Sequence, residues 1–356
     1  MRITELIREI KYLHKNNATT NQYIIRRLEN QRDELMSFID ELDKDIFHIW
    51  GNSKLRIKTN IQYIYEVASD CIEMYFHGRF DRSREIIYNA FFNKGNRNRI
   101  LLRYDDIYPI THFFRMRSNE TYDLYRPLEM FHIPFEKRYL TTNQRYSISG
   151  YPCLYLGNSV YGCWEELNRP DIKMCNIVAL DNVGKLTVID LSLSNMRPSE
   201  FVEEDIYNMT LSLICSLKVN DKESPFKPEY IVPQTLLSCM ISRNDYSNQI
   251  YCDGIKYTSS IYGSKRNLFH NIGLFDNYVI PIKRSSEKGH CSELSNLFVI
   301  SETTSIAINK ILSPCVNNYA DYSGSYSYEL SDFGLIEQQL SHSRKMLVAE
   351  LRDETT

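Results

Sequence analysis

Apolar positions in the first hundred residues recur at helical spacing. Ile24, Leu28, Leu35, Ile39, Leu42, Ile46 and Ile49 fall at intervals of three, four and seven, which puts them on one face of a helix. Ile57, Ile61, Ile64, Ala68, Ile72 and Tyr75 repeat the pattern after a break at Gly51-Asn52-Ser53. A third helix is expected behind a cap at Asp81, carrying Ile86, Ile87, Ala90 and Phe91 and stopping near FNKGNRNR. Residues 1–95 therefore read as an α-helical module, three helices packed as a bundle. After Arg99 the texture changes to short β-branched and aromatic runs between turn-forming residues: THFFRMR, YPCLYLG, CNIVAL, KLTVIDLS, IKYTSS, NIGLFDNYVIPI and LFVISE. Helical stretches interleave at 160–168, 201–217 and 231–242. This mixture predicts an α+β domain over residues 100–335. Ile336, Leu340, Leu347 and Leu351 then keep helix-compatible spacing, which predicts a closing helix within 336–356.

Composition narrows the function classes. The 356 residues carry 42 basic and 45 acidic side chains, a net charge of −3, so no general affinity for nucleic acid or for an anionic membrane is expected. The 26 Tyr and 16 Phe against 2 Trp predict a Tyr-rich surface and Tyr-lined pockets. Nine cysteines, an odd number without a CxxC pair, read as reduced and mostly buried thiols in a cytoplasmic protein. The N-terminus has no hydrophobic signal core, and no apolar run reaches the roughly 18 residues of a membrane span.

Several chemistries have no motif to support them. There is no phosphate-binding GxxxxGK[ST] loop, no HExxH, no GxSxG and no GxGxxG behind a strand. The eight histidines lack metal-ligand spacing, so no metal site is predicted, and His112, His132 and His270 receive no role. What remains is a set of polar residues at strand ends and turns. Arg115 and Arg117 alternate with apolar residues and share one face of a strand. Arg145 and Tyr146 precede the run that holds Tyr155. Glu166 follows Tyr155 by eleven residues, on the first turns of the next helix. DGIKYTSS places Tyr257 and Ser259 about a later strand end, and Asn271 opens NIGLF.

The order Arg near a first strand, then R-Y…G…LYL…E, then DGI-x-Y-x-S, then N-x-x-L-F resembles the RES domain family. The resemblance spans roughly residues 110–285. It implies an ADP-ribosyltransferase-like fold with a mixed, split β-sheet, and an NAD-consuming toxin of a bacterial toxin–antitoxin pair. Carried over by position, the family's Arg falls on Arg115, its Tyr on Tyr155, its Glu on Glu166 and its Ser on Ser259. Arg145 matches the second basic position and Asn271 the late Asn. Glu165 stands beside Glu166 and leaves two carboxylates to choose from; the spacing from Tyr155 favours Glu166. The long stretch between Arg117 and Arg145 leaves open which of Arg115, Arg117 and Arg145 holds phosphate.

The residue types suit that chemistry. Guanidinium groups bind a pyrophosphate bidentately. Tyr155 or Tyr257 offers a face for nicotinamide, and a fixed carboxylate stabilises oxocarbenium charge on the ribose. Ser259 would hold the carboxamide or a ribose hydroxyl. Water, phosphate or a protein side chain could each accept the ADP-ribosyl group. Taken one at a time, each residue has an ordinary reading: a helix-dipole Glu, a solvated strand face, a core Tyr, a Thr-Ser-Ser turn. Their joint order favours the site. An inhibitory protein partner (an antitoxin) is expected for an NAD-consuming enzyme. The helical module reads as a surface for a partner, a sensor or a homo-oligomer, or as a buttress.

Overall fold

The computed structural model describes residues 1–16, 23–43, 46, 54–246, 252–262, 271–308 and 328–351. Ile49, Gly51-Asn52-Ser53, His270 and Cys315 lie outside them. Among the described residues the helices are α1 (Ile3–Asn16), α2 (Ile24–Asp40), α3 (Lys54–Phe76), α4 (Phe80–Ile87), α5 (Val160–Glu166), α6 (Glu203–Cys215), α7 (Ile231–Tyr246) and α8 (Asp332–His342), with a single turn at Ser292–Ser295. The strands are β1 (Tyr104–Ile107), β2 (His112–Ser118), β3 (Cys153–Gly157), β4 (Cys175–Asn182), β5 (Leu186–Leu191), β6 (Gly254–Thr258), β7 (Asp276–Pro281), β8 (Phe298–Ser301) and β9 (Lys345–Leu347). The class is α+β, and a strand forms within each of the expected β-branched and aromatic runs.

The chain divides into two compact units. The first comprises Met1–Asp105, Asn143–Ile148 and Ile189–Tyr262; the second comprises Asp106–Thr142, Ser149–Val188 and Gly263–Thr356. The N-terminal helices thus share a unit with two later stretches of chain. Within it α3 packs on α2, α4, α6 and α7, through the expected stripe of Ile57, Ile61, Ile64, Ala68 and Ile72. Every residue of α6 from Asp205 to Cys215 is buried, as expected for a helix covered all round. Arg27 of α2 forms a fully buried ion pair with Glu229 at 2.6 Å and donates to the Lys218 carbonyl. Asp81 is not the cap expected for α4: Arg79 holds that position and Asp81 lies in the first turn, where its charge complements the helix dipole. One π turn (Tyr88–Phe92) ends the run beside the predicted stop.

The second unit holds an antiparallel run in the order β7-β3-β2-β4-β8-β9. Arg115 lies opposite Val178 and Arg117 opposite Asn176. Tyr155 pairs with Val279, and Gly157 with Asn277. The core beneath includes Phe113, Leu154, Leu156, Val178, Ile280 and Phe298. The long stretch after Arg117 contributes Leu128, Met130, Phe131 and Phe135 to this core through two 3₁₀ turns, so that stretch is packing rather than an appended loop. The expected closing helix is corrected. Helix α8 ends at His342, Ser343 turns the chain extended, and Lys345–Leu347 pairs with Val299–Ser301. The unpaired edge of β8 takes up these backbone groups and overrides the helical spacing of Leu347 and Leu351.

The eight described cysteines are free. No helix among the described residues is long and apolar enough to cross a membrane.

Candidate functional site

The second unit contains Arg115, Arg117, Tyr155, Glu166 and Asn271; the first contains Arg145, Tyr146, Tyr257 and Ser259. Each group is described in its own unit.

In the second unit, alternation along β2 leaves Phe114 and Met116 buried and Arg115 and Arg117 half-buried. The two guanidiniums serve different partners. Arg115 Nη1 donates to the Tyr155 carbonyl at 2.6 Å, and Arg117 Nη2 to the Phe131 carbonyl at 3.0 Å. Arg115 Nε is covered and has no hydrogen-bond partner, so donor capacity remains at a buried cation. Burial and the neighbouring charge of Arg117 push the Arg115 pKa down to about 9, which still leaves it cationic at neutral pH. Burial also pushes Arg117 down.

The carboxylates sit on α5, directly after β3. Ser159 caps this helix: its Oγ accepts from Gly162 N at 2.8 Å and donates to the Leu274 carbonyl at 2.6 Å. Gly162 has to be glycine, because a Cβ there would lie 2.2 Å from the Leu274 oxygen. Glu166 is the last residue of α5, not part of its first turns. The helix dipole is unfavourable to a carboxylate at that end, so the ordinary reading of a dipole-serving Glu does not apply. Glu165 is buried and held in a two-point grip by Arg169, Nε to Oε2 at 2.9 Å and Nη2 to Oε1 at 2.5 Å. Glu166 is exposed and accepts from Asn277 Nδ2 at 2.7 Å. Asn168 and Arg169 both have positive φ, 62° and 58°, a conformation that is costly for residues other than glycine. The Glu165 pair and the packing of the Arg169 guanidinium over Trp164 at 5.3 Å offset it.

Cys163 joins the parts. Its thiol donates to the Phe114 carbonyl at 3.4 Å. Burial pushes that thiol up to about 12, and it is close enough to Glu337, Arg115 and Glu166 to feel all three charges. Asn271 is exposed and caps a 3₁₀ turn, accepting from Gly273 N at 3.0 Å. The amide that reaches Glu166 is Asn277, six residues later, and sequence reasoning missed it. Its one signal was a polar residue entering the apolar run YVIPI. Glu337, from α8, was missed as well: it accepts from Val160 N at 2.5 Å and from the Tyr328 hydroxyl.

In the first unit, Ser259 follows β6 and is buried, its Oγ accepting from Ile261 N at 3.1 Å. The Tyr146 and Tyr257 rings lie 4.5 Å apart. Burial raises the Tyr146 hydroxyl well above its ordinary pKa, so it stays protonated. Arg145 donates to the Cys215 carbonyl at 2.6 Å and to Ser260 Oγ at 3.3 Å, with its guanidinium over the Tyr230 ring at 5.1 Å. Much of its donor capacity therefore goes to the end of α6 and the turn after β6.

Two of the unassigned histidines, His132 and His112, have partners within the second unit. His132 accepts from Cys291 N and lies beside the Ile133 carbonyl; burial pushes its pKa down to about 3, so it is neutral. His112 pairs with Asp181 at 2.8 Å. Among the described residues, no three His, Cys, Asp or Glu side chains are grouped to hold a metal ion.

The chain is similar to a Bacillus subtilis (strain 168) protein named "Putative toxin YopC", with 35% identity over 269 residues. The match takes in 68% of this chain and 58% of that protein, so the chain spans less than two thirds of the relative's length. No family model matches the chain, and no solved structure matches it.

Proposed function

We propose that the protein is a toxin of the RES type, with an ADP-ribosyltransferase-like fold, that cleaves the nicotinamide–ribose bond of NAD. One observation carries the reading. Arg115, Tyr155 and Glu166 occur together in one unit, Arg115 bonded to the Tyr155 backbone and Glu166 presented outward by Asn277. The name of the Bacillus subtilis relative supports the toxin part of it.

The residues fit a dinucleotide substrate. The half-buried Arg115 guanidinium, cationic at neutral pH, suits a phosphate oxygen. The half-buried Tyr155 offers apolar area for nicotinamide. As the glycosidic bond breaks, its electron pair leaves with neutral nicotinamide and positive charge develops on the ribose, which the Glu166 carboxylate stabilises. Water then gives ADP-ribose and a proton; inorganic phosphate would give the 1-phosphorylated sugar. Transfer to a protein is the weaker reading, because Glu165 is spent on Arg169 and cannot pair with Glu166 as a second acceptor-activating carboxylate.

An inhibitory partner is part of this proposal. Tyr23, Tyr75, Phe76, Phe80 and Phe226 form an aromatic cluster in the first unit with centroids 4.8–6.3 Å apart, and four of the five are 40–59% exposed. A patch of this kind suits a protein partner.

The test is nicotinamide release from NAD, with and without phosphate. Glu166→Gln should lower turnover on the order of 100-fold, while Glu165→Gln should keep the chemistry and lose thermal stability. Release that ignores both substitutions, or none from the wild-type protein, defeats the NAD reading. Mass spectrometry of ADP-ribosylated protein would then decide for the transferase.

A further inference from the structure

We propose that Glu337 is a positioning residue for Glu166: α8 grips the amino end of α5, and the proton on that grip controls how α5 sets its last residue, Glu166. The kinetic consequence rests on the NAD-cleaving reading; the grip itself does not.

The geometry lies wholly in the second unit. Helix α5 has seven residues, about 10 Å of helix at 1.5 Å per residue, so a shift at Val160 reaches Glu166 with little room to dissipate. Glu337 Oε1 accepts from Val160 N at 2.5 Å and from the Tyr328 hydroxyl. The same helix is covered further along by Phe333, whose ring stands 5.2 Å from Tyr161 and 5.4 Å from Trp164. Tyr328 is itself held in place. Ser331 Oγ donates to its carbonyl at 2.5 Å and accepts from Gly334 N at 3.1 Å. A Cβ on Gly334 would come 2.3 Å from that carbonyl, so only glycine lets the 328–330 turn close on α8.

The groups facing Glu337 set its proton. On its own side stand Tyr328 and Glu329; across from it, on α5, stands the Cys163 thiol, which also feels Arg115 and Glu166. Burial raises the carboxyl to about 7, opposed by the Tyr328 and Val160 hydrogen bonds and helped by the Glu329 charge. Glu337 therefore exchanges its proton near neutrality. The ionised form is the stronger acceptor for a helix-opening N–H and the one the dipole favours. The grip is firmer above pH 7.

The experiment uses the full chain in a Trp50→Phe background, which leaves Trp164 as the single tryptophan reporting on the α5–α8 contact. Emission is followed from pH 5 to pH 9, and nicotinamide release is measured in parallel. The wild-type residue should give an emission step centred near pH 7, with kcat rising about three- to tenfold through the same range and KM little changed. Glu337→Gln keeps an acceptor for Val160 and Tyr328, so it should fold and lose both steps. An emission step that survives Glu337→Gln, or none in the parent, overturns the proposal. An emission step that depends on Glu337 without NAD cleavage at any pH upholds the grip and defeats the NAD reading instead.

Discussion

Glu165 and Glu166 are neighbours about 100° apart around a helix, and that rotation gives one of them a guanidinium and the other an amide. Which carboxylate could do chemistry was not decidable from the sequence, since the partners Arg169 and Asn277 are fixed by an irregular turn and by strand register. Arg115 offers a test at the same scale. Its pKa is about 9 in the folded protein, well below that of an ordinary guanidinium. For a cation the depressed value is a cost to folding, fully present below pH 9 and progressively relieved as pH rises above it towards the ordinary guanidinium range. At neutral pH an anion can relieve it instead. Inorganic pyrophosphate should therefore raise the melting temperature of the wild-type protein, by a stabilisation approaching about 2.7 kcal/mol at 100 times its dissociation constant. Arg115→Met should abolish most of that gain while melting close to the wild type without ligand. Equal shifts in both proteins would mean that the anion binds elsewhere.

Most strands were legible as short β-branched and aromatic runs between turn-forming residues: β2, β3 and β4 stand where FFRMR, CLYLG and CNIVAL placed them. Two strands were not. Tyr104–Ile107 and Lys345–Leu347 are too short to carry a period, and the second lay in a helix-compatible tail. Helix α5 was legible as an element but not as a lever, because Ser159 meets Leu274 across 115 residues of sequence and Val160 meets Glu337 across 177. Its close approach to Leu274 makes a prediction. Gly162→Ala puts a methyl group 2.2 Å from a backbone oxygen, which only backbone movement can relieve. It should cost roughly 1–3 kcal/mol of stability and reduce nicotinamide release beyond what the lost stability explains. Unfolding by urea at 25 °C, paired with kcat on the folded fraction, separates the two. A Gly162→Ala protein with unchanged midpoint and turnover would show that α5 is not fixed at this point.

For the whole molecule, the sequence set a helical module over residues 1–95 beside an α+β domain, and in the structure those helices share a unit with Asn143–Ile148 and Ile189–Tyr262. Arg27, from the second helix, is 4% exposed and Glu229, some two hundred residues on, is 1% exposed as side chains, paired at 2.6 Å. Asn220 N also donates to Glu229 and Arg27 donates to the Lys218 carbonyl, so the pair closes a polar knot around the end of α6. Removing one partner strands a charge in an apolar interior, whereas replacing both with apolar groups of similar volume need not. Glu229→Leu alone should lose about 3–5 kcal/mol in urea unfolding, and adding Arg27→Met should recover most of it. By the same physics, a chain begun at residue 96 would leave Glu229 unpaired and expose the apolar faces that α2 and α3 now cover, so it should aggregate or stay unfolded. If that truncated chain instead folded with a single cooperative transition, or if Glu229→Leu cost less than about 1 kcal/mol, the N-terminal helices would be an accessory. Either result would free them to serve only as a docking surface.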